Sequence, residues 1–157
     1  MKFPEAHPVV LGTVTTSAGL RGLSRKAIPA DAIEVRVDAL LAEKVPVEKI
    51  EAALRRKKHP VLLTLRIPPE GGQVAWKVAE RRELFLRLLP YVEAIDVELA
   101  TARAMQQVID EARLAGKTVV LSAPRQAAPP RLFSTCRNRY YPRPRRLPAL
   151  RRADVPV

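Results

Sequence analysis

Residues 33–38 read Ile33-Glu34-Val35-Arg36-Val37-Asp38, and they give the most informative signal for the fold. Its length and branched residues predict a buried strand of a parallel sheet, yet charged side chains alternate with the apolar ones. Burying such charges is costly unless further hydrogen bonds satisfy them, which indicates that they serve a task. Glu34 and Arg36 share one face of the strand, so a simple ion pair between them is the alternative interpretation.

Short apolar runs of this kind alternate with amphipathic stretches along the first 122 residues. The pattern predicts strands at 9–14, 33–37, 61–65, 94–98 and 117–122, and helices from about 46, 78–89 and 103–115. Strands that are joined by crossover segments pair in parallel, which leaves an open doubly wound sheet or a (β/α)8 barrel. Neither a GxGxxG nor a GxxxxGK[ST] phosphate loop is present, and charged residues end the strands, where a barrel places its active site. We therefore expect an α/β chain of the TIM-type (β/α)8 barrel family, with about the first five βα units.

Two further strand ends carry charged side chains. Arg66 follows the third strand with Glu70 just beyond it, and Asp96 and Glu98 alternate with valine along the fourth. Together with Arg36 they predict a polar barrel mouth that binds a small anionic metabolite, because guanidinium groups bind carboxylates in a bidentate manner. A surface location for Arg66, and a hydrogen-bonded pair of Asp96 and Glu98 inside the barrel, are the structural alternatives.

These motifs, in this order and spacing, resemble type I 3-dehydroquinate dehydratase over about residues 8–122. The match comprises Glu34-Val35-Arg36-Val37-Asp38, Thr64-Leu65-Arg66 followed by Glu70-Gly71-Gly72, and Asp96-Val97-Glu98-Leu99. The resemblance implies a lyase of the shikimate pathway that converts 3-dehydroquinate to 3-dehydroshikimate without a metal or cofactor. In that family a Lys forms an imine with the substrate ketone, and a His removes the neighbouring proton.

The resemblance also implies a role for each matched residue. It assigns substrate contacts to Glu34, Arg36 and Arg66, orientation of the catalytic His to Glu70, and the floor of the site to Asp96 and Glu98. It further implies a small-molecule substrate, 3-dehydroquinate, and a homodimer.

The two residues of the imine chemistry are not found at matching positions. The family's His-Asp-Phe-type motif would follow Ser122, where this sequence has Ala123 and Pro124. The histidines, His7 and His59, precede the first and third strands, and no Lys follows Lys117. We therefore expect this chain to be inactive or impaired, with a truncated or frameshifted sequence after about Ser122.

The charge of the chain divides it near Ser122. The 157 residues carry a net charge of +12, but residues 123–157 hold nine Arg, no Lys, seven Pro and one acid, Asp154. We interpret 1–122 as a partial barrel, and 123–157 as an irregular Arg/Pro-rich tail that is disordered or out of frame. Two other interpretations stay open: an inert or inter-subunit extension, and a basic arm on nucleic acid in which Tyr140 and Tyr141 stack on bases.

Composition excludes several classes of protein. The single Cys136 can form neither an internal disulfide nor a metal site by itself. The apolar runs are far shorter than the roughly 18 residues that span a bilayer, and residues 1–8 contain no secretory signal. We expect a cytoplasmic protein with no membrane and no nucleic-acid partner. The alternatives to a dehydratase are a basic protein whose tail binds nucleic acid, and a remnant that binds an anionic metabolite through Arg36 and Arg66.

Overall fold

A computed structural model describes residues 9–123 of the chain as one parallel sheet packed against helices. The strands are β1 (Leu11–Val14), β2 (Ala32–Arg36), β3 (Val61–Thr64), β4 (Ala94–Glu98) and β5 (Thr118–Ser122). The helices are α1 (Ser17–Arg21), α2 (Val37–Ala42), α3 (Val47–Arg55), α4 (Val78–Leu88) and α5 (Gln106–Leu114). Single 3-10 turns lie at Gly22–Ser24, Pro68–Glu70, Leu89–Tyr91 and Leu99–Thr101.

The strand order explains why this sheet is the barrel type. The strands pair in parallel in the order β1-β2-β3-β4-β5, with no reversal. A doubly wound sheet reverses its order at a switch point, whereas a barrel adds each new strand on the same side of the last one. The predicted partial (β/α)8 barrel is thereby confirmed over five strands, the first four of which are each followed by a helix among the described residues.

The two faces of the sheet differ because strand side chains alternate. The helix face consists of Ile33 and Val35 on β2, Val61 and Leu63 on β3, and Ile95 and Val97 on β4, which pack with the helices in one core. That core includes Ile50 and Leu54 of α3, Phe85 and Leu88 of α4, and Val108, Ile109 and Ala112 of α5. Burial of these side chains is the main stabilising term of the fold.

The opposite face of the sheet carries the polar strand residues, among them Thr13, Glu34, Arg36, Thr64, Asp96, Glu98 and Ser122, and is called the polar face below. Strand register arranges it in rows, because Arg36 pairs with Thr64, and Thr64 pairs with Asp96. One row nearer the carboxyl ends, Glu98 pairs with Ser122. The charges that the sequence distributes over three strands are therefore neighbours in space.

Several element boundaries differ from the predicted ones by a few residues. Val37 begins α2 instead of ending the second strand, and its side chain nevertheless stays in the core, so apolar patterning alone does not reveal the turn. The third predicted helix begins at Gln106 and not at 103, because a 3-10 turn precedes it. Pro46 lies just before α3 as its N-cap residue instead of inside the first turn. Gly116 follows α5 with a φ of +66°, as a helix-ending glycine does.

Some predictions fall on residues that the structure does not describe. His7, Cys136, Tyr140 and Tyr141 lie outside the described residues, as does the predicted tail apart from Ala123. Among the described helices the longest is α4, with 11 residues, and none has the length and apolar character needed to cross a bilayer.

Candidate active site

A polar cleft of about 340 Å³ lies at the carboxyl ends of the strands. Its lining residues are Glu34, Arg36, Arg66, Glu70, Ser122 and Ala123. Four of the six predicted site residues therefore share one cleft. A larger hollow of about 400 Å³ lies beside β1, but among its described lining residues Arg25 alone is charged, so it offers less chemistry.

Arg36 is held by an aspartate on the first turn of the next helix. Its Nε and Nη2 atoms donate to the two carboxylate oxygens of Asp38 at 2.9 and 2.8 Å, and Nη2 also donates to the Gly71 carbonyl at 3.1 Å. The alternative pairing of Arg36 with Glu34 is thus not the one that forms. Glu34 instead accepts a hydrogen bond from the Thr13 hydroxyl at 3.1 Å.

Arg66 is the centre of a network of carboxylates. Its Nη2 atom lies 2.6 Å from Asp96 Oδ2, and its Nη1 atom lies 3.5 Å from Glu70 Oε2 and 3.9 Å from Glu98 Oε1. Nη1 also donates to the Ser122 hydroxyl at 2.8 Å. Arg66 is only 15% exposed, so the alternative of a free surface arginine does not apply. Asp96 and Glu98 lie behind Arg66, not on the cleft wall itself.

Glu98 owes its position to a buried arginine of α4. Arg81 Nη2 donates to Glu98 Oε2, and the two side chains are only 2% and 1% exposed. Arg81 Nε donates to the Leu65 carbonyl at 2.9 Å, while the Thr101 hydroxyl contacts both charged groups at 3.0 and 3.1 Å. The amide of Ile67 donates to the other Glu98 oxygen at 3.0 Å. The predicted alternative, a pair of Asp96 with Glu98, is therefore replaced by two separate arginine partners.

Carboxylates outnumber cations in this network, and the pKa values of two of the carboxyl groups, Glu70 and Asp96, are raised. Five acidic side chains (Glu34, Asp38, Glu70, Asp96 and Glu98) lie with three arginines (Arg36, Arg66 and Arg81). Burial raises the pKa of Glu70 above its ordinary value, and the negative charge of Glu98 raises it further. Burial also raises the pKa of Asp96, although Arg66 opposes this shift. Residues 9–123 contain no cluster of acidic, His or Cys side chains that could hold a metal ion.

A family model for type I 3-dehydroquinase matches residues 9–139 of this sequence. The chain belongs to the type I 3-dehydroquinase family. The 3-dehydroquinate dehydratase of Methanosarcina barkeri is 39% identical over 114 residues, which cover 64% of this chain and 45% of the relative. That of Aquifex aeolicus is 32% identical over 95 residues, covering 59% and 42%. The chain thus spans less than half the length of these relatives.

Solved structures of 3-dehydroquinate dehydratases share the fold of this chain. The 3-dehydroquinate dehydratase of Enterococcus faecalis superposes with a TM-score of 0.60 at 26% identity, covering 73% of this chain and 52% of that one. The type I enzyme of Clostridium difficile, solved with covalently modified comenic acid, superposes with a TM-score of 0.62. Its identity of 22% makes this second likeness evidence for the fold alone. Both superpositions extend over most of the described part of this type I 3-dehydroquinase chain.

Sequence reasoning gave no role to three residues that shape this cleft. Asp38 belongs to the quoted motif, and its place directly after a strand was an available signal. Arg81 stands four residues before Phe85 and seven before Leu88, so a cation on the apolar stripe of α4 was the second signal. Ser122 gave no signal of its own, because its contact with Arg66 depends on the β4–β5 register.

The remaining His and Lys candidates lie away from the cleft. His59 precedes β3, and its Nε2 atom lies 2.9 Å from the Arg25 carbonyl oxygen at the amino end of the sheet. Lys117 directly precedes β5, at that same end. Among the described residues, neither a His nor a Lys lines the cleft.

Proposed function

We propose that the described site binds the hydroxyl-bearing part of 3-dehydroquinate, the substrate that its family converts to 3-dehydroshikimate, and that the chain itself turns this substrate over only slowly. The observation that carries this proposal is the surplus of carboxylates at a cleft whose two arginines already have acidic partners. Carboxylates accept hydrogen bonds from hydroxyl groups, whereas the carboxylate of a ligand gains little from guanidinium groups that are already paired. The family supports the choice of substrate.

Glu34 and Arg36 are the proposed substrate contacts of β2. The Glu34 carboxylate has one oxygen bonded to Thr13, and its second oxygen is not used by that contact. Arg36 has Nε and Nη2 engaged by Asp38 and Gly71, which leaves Nη1 for a ligand oxygen. One acceptor and one donor on the same strand match a hydroxyl group, which both donates and accepts.

Arg66 and Glu70 are the proposed groups of the β3 side. Arg66 contacts the substrate while Asp96 and Glu98 restrain its guanidinium from behind. Glu70, which resemblance to the family pairs with a catalytic His, is nearly buried, and its pKa is raised by burial and by the negative charge of Glu98. This chain supplies no cleft-lining His or Lys among residues 9–123, so the proposal assigns it substrate binding with little turnover.

Calorimetry with 3-dehydroquinate tests the proposal on the whole chain. We expect binding that Glu34→Gln weakens about tenfold or more, because the variant replaces an acceptor oxygen by a donor. Glu80→Gln is the matched control, since Glu80 is a surface glutamate paired with Lys77 and lies outside the cleft lining. A folded chain that binds no 3-dehydroquinate would overturn the proposal.

Formation of 3-dehydroshikimate, followed by its absorbance, tests the second part of the proposal. We expect a rate far below that of an enzyme, because the imine chemistry needs a Lys nucleophile. Turnover at an ordinary enzymatic rate would show that this part is wrong.

The homodimer that the resemblance implies and a cytoplasmic location belong to the same proposal. Light scattering of the purified chain tests the dimer.

A further inference from the structure

Asp38 occupies an unusual position in the described site because every lone-pair direction of its carboxylate is used. Oδ1 accepts from Arg36 Nε at 2.9 Å and from the Arg66 amide at 3.3 Å. Oδ2 accepts from Arg36 Nη2 at 2.8 Å and from the Gln73 amide at 3.2 Å. The side chain is fully buried, so no contact with a ligand is open to it.

Through these bonds Asp38 joins the end of β2 to the loop that follows β3. The Arg66 and Gln73 amides stand at the two ends of that loop, and both point to the same carboxylate. Within the loop, Gly72 donates to the Ile67 carbonyl at 2.9 Å, and a Cβ at Gly72 would lie 2.1 Å from the Arg66 carbonyl oxygen. Residues 66–73 therefore form a tight turn, and Glu70 is one of the residues of this loop.

The electrostatics agree with this geometry. Burial by itself raises the pKa of Asp38, but the Arg36 hydrogen bond and charge, with the two backbone amides, bring it below its ordinary value. The bond to Asp38 likewise raises the pKa of Arg36. Asp38 thus stays ionised and keeps all four hydrogen bonds at neutral pH.

We propose that Asp38 is a positioning residue that sets the Arg36 guanidinium and the 66–73 loop, and with them the ligand-facing geometry of the cleft. This inference rests on the proposed substrate site for its functional consequence. Asp38 touches no ligand in this scheme. It acts by fixing which edge of Arg36 remains available, and by holding Arg66 and Glu70 at the distance from β2 that the substrate spans.

A second carboxylate of the same sheet provides a matched control. Glu93 precedes β4 at the opposite, amino end, where Oε1 pairs with Lys57 at 2.8 Å and Oε2 accepts from the Val61 amide at 2.9 Å. It is 11% exposed, so it is also a nearly buried carboxylate with one cation and a backbone partner. Glu93→Gln therefore makes the same kind of change, carboxylate to amide, at a nearly buried position outside the cleft lining.

The Asp38→Asn variant tests the proposal by hydrogen exchange and by calorimetry on the full chain. Asparagine keeps one acceptor oxygen, so one of the Arg66 and Gln73 amides loses its partner. We expect that amide to exchange about tenfold faster or more, and the Arg36 Nε–H signal in NMR spectra to shift. We also expect the affinity for 3-dehydroquinate to fall about tenfold or more, while Glu93→Gln leaves it unchanged.

The outcomes separate this inference from the proposed function. If the wild-type chain fails to bind 3-dehydroquinate, the proposed function fails, and unchanged exchange of both amides would still overturn the positioning role. If the wild type binds and Asp38→Asn binds equally well, the positioning role is wrong. Should Asp38→Asn not fold, Asp38→Glu serves instead, because it keeps the charge and displaces the carboxylate by one methylene. Full affinity in that variant would also contradict the inference.

Discussion

The two faces of this sheet are built from the same strands, yet one face buries apolar side chains and the other carries polar and charged ones. On the helix face Val35, Leu63 and Ile95 are completely buried among helix residues. On the polar face, one position along each strand, Arg36, Thr64 and Asp96 form a single row. The alternation of a strand thus lets one element supply both the stability of the core and the chemistry of the cleft.

The two faces contribute differently to the stability of the fold. The helix face buries apolar side chains in one core, whereas the polar face holds charges that are stabilised by partners of opposite sign. Two buried oxygens there, Thr64 Oγ1 and Asp96 Oδ1, have no hydrogen-bond partner among the described residues. Buried polar atoms without partners destabilise a fold, so the polar face is shaped by its site more than by packing.

The largest expected effect on stability is at the buried ion pair of Arg81 and Glu98. Arg81→Met leaves the Glu98 carboxylate buried without its cation, and we expect a loss of about 3–5 kcal/mol in the free energy of unfolding. Urea denaturation measures it. The double variant Arg81→Met with Glu98→Leu removes both charges and should recover much of that loss. An Arg81→Met variant as stable as the wild type would show that the ion pair with Glu98 does not stabilise the fold.

A truncation on the helix face comes next in size. Leu63 is completely buried in the core, and Leu63→Ala should lower the free energy of unfolding by about 3 kcal/mol through lost burial and a cavity. The folded fraction should bind 3-dehydroquinate with unchanged affinity, because Leu63 faces away from the cleft. Thermal unfolding and calorimetry together check this. A strong loss of affinity in the folded Leu63→Ala protein would show that the helix face also affects ligand binding, contrary to this expectation.

A smaller effect is expected in the pH dependence of stability. The pKa of Asp38 is lowered from 3.8 in the folded chain, so its ionised form stabilises the fold above that pH. This contribution is lost as the pH falls below 3.8 through the folded pKa. The stability difference between wild type and Asp38→Asn should therefore be full at neutral pH and shrink in acid. Urea midpoints measured from pH 7 to pH 3 test it.

Glu70 should show the opposite sign. Its pKa is raised from 4.5 in the folded chain, so its ionisation weakens the fold as the pH rises through the folded pKa. Glu70→Gln should be relatively more stable at neutral pH, and this advantage should disappear as the pH falls to 4.5 and below. The same urea series measures it. An advantage that grows in acid would show that the assigned direction is wrong.

The smallest effect is expected on the outer surface of the helices. Arg87 is 43% exposed and pairs with Glu48 and Glu51 of α3. Exposed pairs of this kind contribute little because water screens them. Arg87→Ala should leave both the thermal midpoint and the affinity for 3-dehydroquinate within experimental error. A clear drop in the midpoint would contradict this expectation and would show that the surface ion pairs between α3 and α4 contribute to stability.

Much of the fold was predictable because its signals are local. The apolar runs mark the five strands, and the predicted bounds of β4, 94–98, are the ones that the structure shows. Boundaries were missed where core residues continue through a turn, as Val37 does at the start of α2. Of the candidate site, Glu34 and Arg36 were predicted on the second strand and Arg66 and Glu70 after the third, and the structure brings all four to one cleft.

The amino-acid sequence alone was enough to predict parallel pairing of the strands, an apolar and a polar face, and the charges that meet at the carboxyl ends. These follow from the period of two, from crossover connections and from residue types. The partners of those charges depend on the tertiary structure. Arg36 pairs with Asp38 because the chain turns into α2 directly after β2, and Glu98 pairs with Arg81 because α4 packs its stripe against β4. An ion pair depends on distances of a few ångströms, which register and packing set and which sequence spacing does not contain.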